Sequence, residues 1–490
     1  MSVSTVKLNG TTLMTVNDTT ATAGDVLGKY FYAADGTKTL GTAASQSGSS
    51  DGDVIFIDYD GSVVTAKTKA EINSMTSDSE LPENPTHTGL TSQGWNWTVA
   101  QLKAQLTAMP DQKVYVGQMY ITESGATEID IELIDDLALS PYLCIAIDGS
   151  VTIDWGDNSA TDIVTGTSTG TRKYTQHVYS TTGSYTISIT VNSGTFRFYV
   201  TNQCPILTDK NTSSQYASKK YSSSIKRIRL GENVDNDSIF RDHCSLESIT
   251  IPSSITKIAS SAFNGCYSLT SVTIPAGVTS IWNSVFYYCY SITSITIPSS
   301  VTSIKNNAFG YCASLVSISI PSGVTSIGNN TFQNCFPLAS IAIPSGITSI
   351  GNYAFASCYS ITDVIIPSEV TSIGDYAFSN CYSITSITTQ SKITSIGDYA
   401  FTSCFSLTSI TIPSSVTSIG DNAFYKCYSM LAYHFEPTTP PTLGTTVFNN
   451  IQSNCKIYVP YSEDHSILAA YQSETNWATY ASYMVEESAP

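Results

Sequence analysis

The sequence predicts a mainly β protein, with a stacked-repeat solenoid in its carboxy-terminal half and smaller β-rich domains before it. Two observations carry the prediction. A 23-residue unit recurs from about Ser245 to Phe435. Ahead of it, the stretch from Tyr185 to Val191 alternates apolar and polar residues, the period of a half-buried strand.

The repeat template reads Ser-Leu/Ile-Thr-Ser-Ile/Val-Thr-Ile-Pro-Ser-Ser/Gly-Val/Ile-Thr-Ser-Ile-Gly-Asn/Asp-x-Ala-Phe-x-x-Cys. Prolines mark it at Pro252, Pro275, Pro298, Pro321, Pro344, Pro367 and Pro413, and Gln390 breaks the series once. Phenylalanines keep the same beat from Phe240 to Phe424. Within one unit Leu269, Val272 and Ile274 point inward from a short strand, which Pro275 ends because it has no N–H for a further ladder bond. Val278 and Ile281 turn back into the core. Ala262, Phe263 and Cys266 belong to a short helical or 3₁₀ turn that closes a coil. Gly328, Gly351, Gly374, Gly397 and Gly420 sit where the chain corners, so positive φ is expected there. One coil cannot bury its apolar side alone, and stacked coils can. Eight full coils at about 4.8 Å each make a slab on the order of 40 Å long. A strand at Lys456–Pro460 and an amphipathic helix over Ile467–Tyr483, with Trp477, read as its terminal cap.

Of the 12 cysteines, Cys244, Cys266, Cys289, Cys312, Cys335, Cys358, Cys381, Cys404 and Cys427 recur every 22 or 23 residues. Equivalent positions in stacked coils project parallel Cβ vectors, which disfavour a disulfide dihedral near 90°. They read as small buried hydrophobes. Metal binding is the lesser reading, because no Cys-x-x-Cys or Cys/His cluster accompanies them.

The motif Ile-Pro-x-x-Val-Thr-x-Ile-Gly-x-x-Ala-Phe-x-x-Cys, with the ending Ile457-Tyr458-Val459-Pro460 and Trp477, resembles the BspA-like class of leucine-rich repeats over roughly residues 245–485. The resemblance implies a leucine-rich-repeat solenoid of the kind found in bacterial surface adhesins and in phage and protist proteins. It implies binding without naming the ligand.

Residues 142–200 carry Asp154-Trp155-Gly156-Asp157, then His177-Val178-Tyr179, then Gly183-Ser184-Tyr185-Thr186-Ile187. This resembles a polycystic-kidney-disease (PKD) domain, which implies an Ig-like β-sandwich with Trp155 in its core and Asp154 and Asp157 fixing turns. Those two aspartates are also the weak metal candidates, since hard carboxylate oxygens suit calcium. Residues 20–42, from Thr20-Ala21-Thr22-Ala23-Gly24-Asp25-Val26-Leu27 through Asp35-Gly36-Thr37-Lys38 to Gly41-Thr42, resemble a short module common in phage tail and tail-fibre proteins.

The expected organisation is an attachment module and linker over 1–50, a small β-rich (α+β) domain over 51–141 and the PKD/Ig-like unit over 142–201. A connector and cap cover 202–244, the solenoid 245–435 and the terminal cap 436–490. Within the second domain, Val54–Ile57 and Ser62–Val64 flank a turn, a helix follows Thr98, and Val114–Tyr120 and Ile129–Ile134 read as strands.

Charge and motif content bound the function. The net charge is −17, which repels phosphate backbones and anionic membranes, so neither nucleic acid nor membrane insertion is expected. No apolar run is long enough to span a bilayer. The start lacks the basic and apolar regions of a secretory signal. Val54–Ile57 followed by Asp58-Tyr59-Asp60-Gly61 resembles the signature of haloacid-dehalogenase-like phosphatases, with Asp58 as nucleophile and Asp60 as acid/base. Asp135-Asp136 could mimic the acidic pair of that fold, but no lysine stands in a matching context, and Asp-Gly is a strong hairpin signal. His87, His177, His243, His434 and His465 have no ligand spacing. The chain is therefore expected to be a binding protein and not an enzyme, with no cofactor.

Two surfaces are candidates for binding. Ser271/Thr273, Ser294/Thr296, Ser317/Ser319, Ser386/Thr388 and Ser409/Thr411 should form an outward hydroxyl ladder, suited to glycan, to ordered water or simply to solubility. Aromatics at fixed positions form the other: Tyr267, Tyr290, Tyr359, Tyr382, Phe405 and Tyr428 after the cysteine, and Tyr353, Tyr376 and Tyr399 near the corner. Tyrosine freezes few torsions for its contact area. Either these rings meet a receptor or they pack on the next coil. In the first case Tyr→Ser at 353, 376 and 399 should abolish attachment without lowering the melting point.

The expected role is a phage or prophage virion adhesin, in a tail fibre or receptor-binding position. Residues 1–50 would bind other virion proteins, and the solenoid would meet a bacterial cell-surface glycan or protein, with a homo-oligomer as one expected form. The alternatives are a bacterial cell-surface adhesin and a structural decoration that binds only other virion subunits.

Overall fold

The computed structural model describes residues 52–110, 112–133, 139–198, 225–235, 240–389 and 392–488, and before them four strands within residues 5–40. The chain divides into two compact units, Met1–Ser45 and Gln46–Pro490. In the first, Thr5–Leu8 pairs antiparallel with Thr11–Thr15, and Tyr30–Tyr32 with Lys38–Leu40. Most of the motif over 20–42, and the expected linker, lie outside the described residues.

The second unit begins with a small α/β layer. Its sheet runs Val63–Lys67, Val54–Ile57, Val114–Thr122, Leu90–Trp95 in space, and the central two strands are parallel. Asp58 to Gly61 make the tight turn that Asp-Gly predicts, with Gly61 at φ +89°. The Val99–Ala108 helix starts at Thr98, whose side chain accepts from the N–H of Gln101 while Gln101 reaches back to Thr98, a reciprocal cap. Leu102 and Leu106 bury its inner face against Val54, Phe56, Trp95 and Val116.

The Val114–Thr122 strand leads by a short turn into Thr127–Leu133, which lies in a different sheet. That sheet holds six strands in the order Asp162–Gln176, Tyr142–Asp154, Gly183–Phe198, Thr127–Leu133, Ile225–Arg229, Ser248–Thr250. Where the PKD resemblance implies two facing sheets, the described strands of residues 142–198 lie in one. Register shifts beside Ile147 and Val151, and left-handed glycines at Gly149 (φ +119°) and Gly194 (φ +73°), mark where its long strands bend. The last member, Ser248–Thr250, is already the front strand of the first coil, so this sheet closes the amino-terminal end of the solenoid.

The solenoid makes about eleven turns. A front row of short strands (Ser271–Thr273, Ser294–Thr296, Asp363–Ile365, Ser386–Thr388, Ser409–Ile412) faces one way. A back row of two-residue strands forms an eight-stranded parallel sheet from Ser280–Ile281 to Thr442–Leu443. Leu269, Val272, Ile274, Val278 and Ile281 are all buried, as the pattern requires. One phenylalanine per coil stacks on the next from Phe240 to Phe448, with centroids 5.1–5.9 Å apart. At the far end Lys456–Val459 continues the front row, and Trp477 and Tyr471 are sealed beneath it. The single helix expected over 467–483 is instead a helix at Ser466–Ser473 and a 3₁₀ segment at Ala478–Tyr483. Asn476, left-handed at φ +65°, breaks them apart. Met484–Glu486 then adds a parallel strand to Lys456–Val459.

The glycine expectation is corrected. Gly328, Gly351, Gly374, Gly397 and Gly420 are not among the left-handed residues. A Cβ on Gly374 would lie 2.7 Å from the backbone nitrogen of Asn352 and 2.7 Å from the carbonyl carbon of Gly351. Glycine stands there because adjacent coils touch backbone to backbone. The left-handed corner comes two residues later, at Asn307, Asn330, Tyr353, Tyr376, Tyr399 and Asn422 (φ 53–58°). Asparagine tolerates that region best among side-chain residues.

The cysteine reading holds in substance and shifts by one place. The described cysteines are free thiols. Cys266, Cys289, Cys312, Cys335, Cys358, Cys381, Cys404 and Cys427 each donate to the carbonyl of the phenylalanine one coil earlier, at 3.1–3.4 Å. Cys244 does not share that slot: it precedes Tyr267 by one repeat, and His243 precedes Cys266. Burial pushes the thiols from Cys289 to Cys427 up, to about 12 at Cys381 and Cys427. The thiolate is the nucleophile, so a disulfide-exchange reagent at mildly alkaline pH should leave all eight ladder thiols unlabelled in the native chain. Guanidinium should expose them together. Fast native labelling at any of the eight, located by peptide mapping, would contradict the sealed ladder.

Candidate binding surfaces

The hydroxyl ladder of the front row is only half open. Ser271, Thr273, Thr296 and Ser319 lie on the outward face but are buried beneath another part of the chain, whereas Ser386, Thr388, Ser409 and Thr411 are exposed. The cover is the small α/β layer of residues 52–122, laid across the front of the first coils. Proline explains how it is held. It ends each front strand, leaving the carbonyl before it and the N–H after it without ladder partners. The layer supplies them. Asn96 Nδ2 donates to the Ile274 carbonyl (3.0 Å), Trp97 Nε1 to that of Ile297 (3.1 Å) and Gln105 Nε2 to that of Ile320 (3.0 Å). These carbonyls occupy one position in three successive coils. Gln93 and Gln105 accept from the N–H of Ser253 and Ser322, each at 2.8 Å, the residues following Pro252 and Pro321. Ser271 Oγ donates to the Tyr59 carbonyl (2.8 Å), and Ser317 Oγ reaches the Tyr115 hydroxyl (2.6 Å). Gly117 lies flat on Thr273 and Thr296, with no room for a Cβ. None of these contacts was marked by the repeat; a buried Asn-Trp pair just ahead of a helix cap was the available sign.

The aromatics form rails. Tyr353, Tyr376 and Tyr399 stack face to face at 4.6 Å and within 6° of parallel. Phe336, Tyr359, Tyr382, Phe405 and Tyr428 stack at 4.7–5.5 Å, and Tyr267 on Tyr290 at 5.2 Å. All are partly exposed, and Tyr428 most of all at 45%. The rings therefore pack on the next coil, as one of the two readings expects. Ring faces are spent on neighbouring rings, while edges and hydroxyls reach solvent. Beside the corner rail, Asn306, Asn329, Asn352, Asp375 and Asp398 each accept, through Oδ1, the N–H of the equivalent residue one coil on (2.7–3.0 Å). This registers each coil on the last.

The titratable clusters have structural employment. Asp58 is buried, accepting from the N–H of Tyr59 (2.8 Å) and the hydroxyl of Tyr120 (2.9 Å), with His87 Nε2 at 2.7 Å. Asp60 accepts from the N–H of Ser62 within the hairpin. Both oxygens of Asp58 are thus engaged within the protein, in the hairpin turn and with the Tyr120 and His87 side chains. Asp135 and Asp136 lie outside the described residues. Asp154 accepts from the N–H of Gly156 (2.9 Å). Asp157 accepts from the N–H of Ser159 (3.1 Å) and meets His177 Nε2 (2.8 Å), and these bonds hold its carboxyl down at about 2. His177 in turn stacks on Trp155 at 4.9 Å. Among the described residues no group of three or more His, Cys, Asp or Glu side chains could hold a metal ion.

Short inward strands, a proline corner and one stacked turn per coil together define a leucine-rich-repeat solenoid. Residues 233–362 and 348–467 match the BspA type leucine rich repeat region, in six copies. Through this region the chain belongs to the BspA-type leucine-rich-repeat family. It is similar to a leucine-rich cell surface protein from Faecalibacterium prausnitzii, with 30% identity over 52% of this chain and 77% of that one and a TM-score of 0.34. It is also similar to a leucine-rich repeat protein of T. pallidum, with 27% identity over 38% of this chain and 77% of that one and a TM-score of 0.30. A search of curated proteins gives no match.

Proposed function

We propose that the chain is a surface-displayed adhesin whose solenoid meets its receptor through the tyrosine rails. The observation that carries this reading is the partial exposure of stacked tyrosine edges at positions where other coils carry Ser or Asn (Ser284, Asn307, Asn330 and Asn422 in the corner rail) or Ala (Ala313 in the rail after the cysteine). The similarity to a bacterial cell surface protein supports a bacterial envelope as the carrier. The motif over residues 20–42 supports a phage or prophage tail instead, with residues 1–50 as the mount. In either setting the α/β layer and the six-stranded sheet brace the solenoid and do not act as loose spacers.

The stacking alters the expected effect of substitution. Each aromatic stack contributes about 0.5–1.5 kcal/mol beyond area burial. Tyr→Ser at 353, 376 and 399 should therefore lower stability by about 1–3 kcal/mol as well as weaken attachment. Tyr→Phe at the same three positions keeps the stack and removes the hydroxyls. The full-length Phe variant is expected to melt with the parent chain by calorimetry and to bind candidate bacterial cells several-fold less well by flow cytometry. Undiminished attachment of the Phe variant would remove this rail from the receptor site.

A further inference from the structure

The front row is closed over its first coils and open over its last, and the open part has the chemistry of a defined ligand. Beyond the Val99–Ala108 helix the outward columns are Ser340, Asp363, Ser386 and Ser409, and beside them Ala342, Ile365, Thr388 and Thr411. Strand pairing sets Ser386 beside Asp363, and Ser409 beside Ala432. The columns end at His434, which stacks on Tyr458 at 4.7 Å, with Lys456 at the rim. Small side chains leave the face shallow. Asp363 is the one carboxylate in these columns, and Ser386 Oγ already donates to it at 2.7 Å. The Phe336–Tyr428 rail runs in the same direction, four residues before the first column in each coil.

We propose that this open face binds a neutral linear polysaccharide lying along the solenoid axis, a reading that rests on the adhesin function above. Three physical points select that class. The rows repeat once per coil, at the 4.7–5.5 Å spacing of the rail rings, so a partner that gains from every coil must itself be periodic. An extended polypeptide advances about 3.3 Å per residue and falls out of step with the coils, whereas an extended β-linked pyranose chain advances by a whole ring per sugar, a longer step. The columns offer hydroxyls and small side chains rather than charge, Asp363 apart, which matches sugar hydroxyls. The net charge of −17 repels acidic polymers and leaves the neutral ones. The resident layer shows that the same face accepts uncharged polar donors, since Asn96, Trp97 and Gln105 already dock there.

The test uses the full-length chain and purified linear β-1,4-linked oligomers of glucose, xylose, mannose and N-acetylglucosamine, from monomer to octamer, titrated by calorimetry. An α-1,4-linked glucose series, which coils, serves as the shape control. In at least one β-linked series affinity should rise about tenfold or more from dimer to hexamer and then level off, as added contacts become intramolecular. Thr388→Lys and Thr411→Lys, both on exposed positions, should abolish that binding while the melting point stays put. The proposal is overturned if no β-linked series binds, if the monomer binds as tightly as the hexamer, if the α-linked series binds equally well, or if Thr388→Lys binds like the parent. Cell attachment through Tyr353, Tyr376 and Tyr399 is measured separately on intact bacteria, so a negative result with oligosaccharides leaves the adhesin reading standing.

Discussion

Gly117→Ala in the full-length chain is expected to unseat the α/β layer from the solenoid. The new Cβ would press on the hydroxyl of Thr296 and on both branches of Thr273. Threonine is stiff at χ1 and these two are buried between packed layers, so neither can swing aside. Overpacking of this kind costs about 1–3 kcal/mol. Because the layer is held by hydrogen bonds that are each worth only about 0.5–1.5 kcal/mol, the strain offsets about two of them and makes opening of the layer more frequent. The Asn96, Trp97 and Gln105 bonds should then open together. Hydrogen exchange should speed up in peptides spanning Ser271–Thr273 and Ser294–Thr296, and calorimetry should show a separate early transition. Gly346→Ala is the control: nothing lies within 3.6 Å of its Cβ position and it is not left-handed, so it should be silent. If Gly117→Ala leaves exchange in those peptides unchanged, the layer is not seated as described.

Stability should also fall between pH 6.5 and about 4 because of one side chain. His243 is fully buried in the first coil, with Nδ1 3.0 Å from the Arg241 carbonyl, and burial pushes its imidazolium down to about 4. The folded state therefore prefers the neutral ring. Above pH 6.5 both folded and unfolded chains hold it neutral and it contributes no pH dependence. As pH falls through 6.5 the unfolded chain takes up the proton first, and stability drops until the folded ring titrates near 4. At about 1.4 kcal/mol per unit the loss approaches about 3 kcal/mol. Asp157, held at about 2, adds its own loss only below the ordinary carboxylate range. His243→Cys places in this slot the residue that the following coils carry. Its unfolding free energy, followed by chemical denaturation from pH 7 to 4, should be flatter than that of the parent chain. Parallel slopes would mean that His243 is not the titrating group.

How far the molecule was legible in its sequence follows from the range of each interaction. Leu269, Val272, Ile274, Val278 and Ile281 announce themselves because each meets its equivalent one repeat away, so the contact is written as a period. The aromatic rails were legible on the same ground, as positions that either meet a partner or pack on the next coil. Short motifs with a local mechanism were also legible, such as the Thr98 cap and the Asp-Gly hairpin. Slots were harder. The Cys244 spacing of 22 looked like the ladder, but only packing shows that His243 fills the place of the thiol. Glycine at 374 and tyrosine at 376 look like a corner and a decoration. The backbone reverses them, because close approach of coils demands the glycine while the turn falls two residues on.

By itself the sequence determined the coil: its strand, its proline corner and its buried face. Those are decisions between a residue and its neighbours along the chain or one turn away, and they recur. Only the tertiary structure decided which part of the front row is free. Asn96 finds Ile274, and Gln105 finds Ile320, across 178 and 215 residues without any periodic signal. Both carbonyls look identical in sequence to those of the open coils. Burial by a distant layer is a property of the assembled surfaces, and no local pattern encodes it.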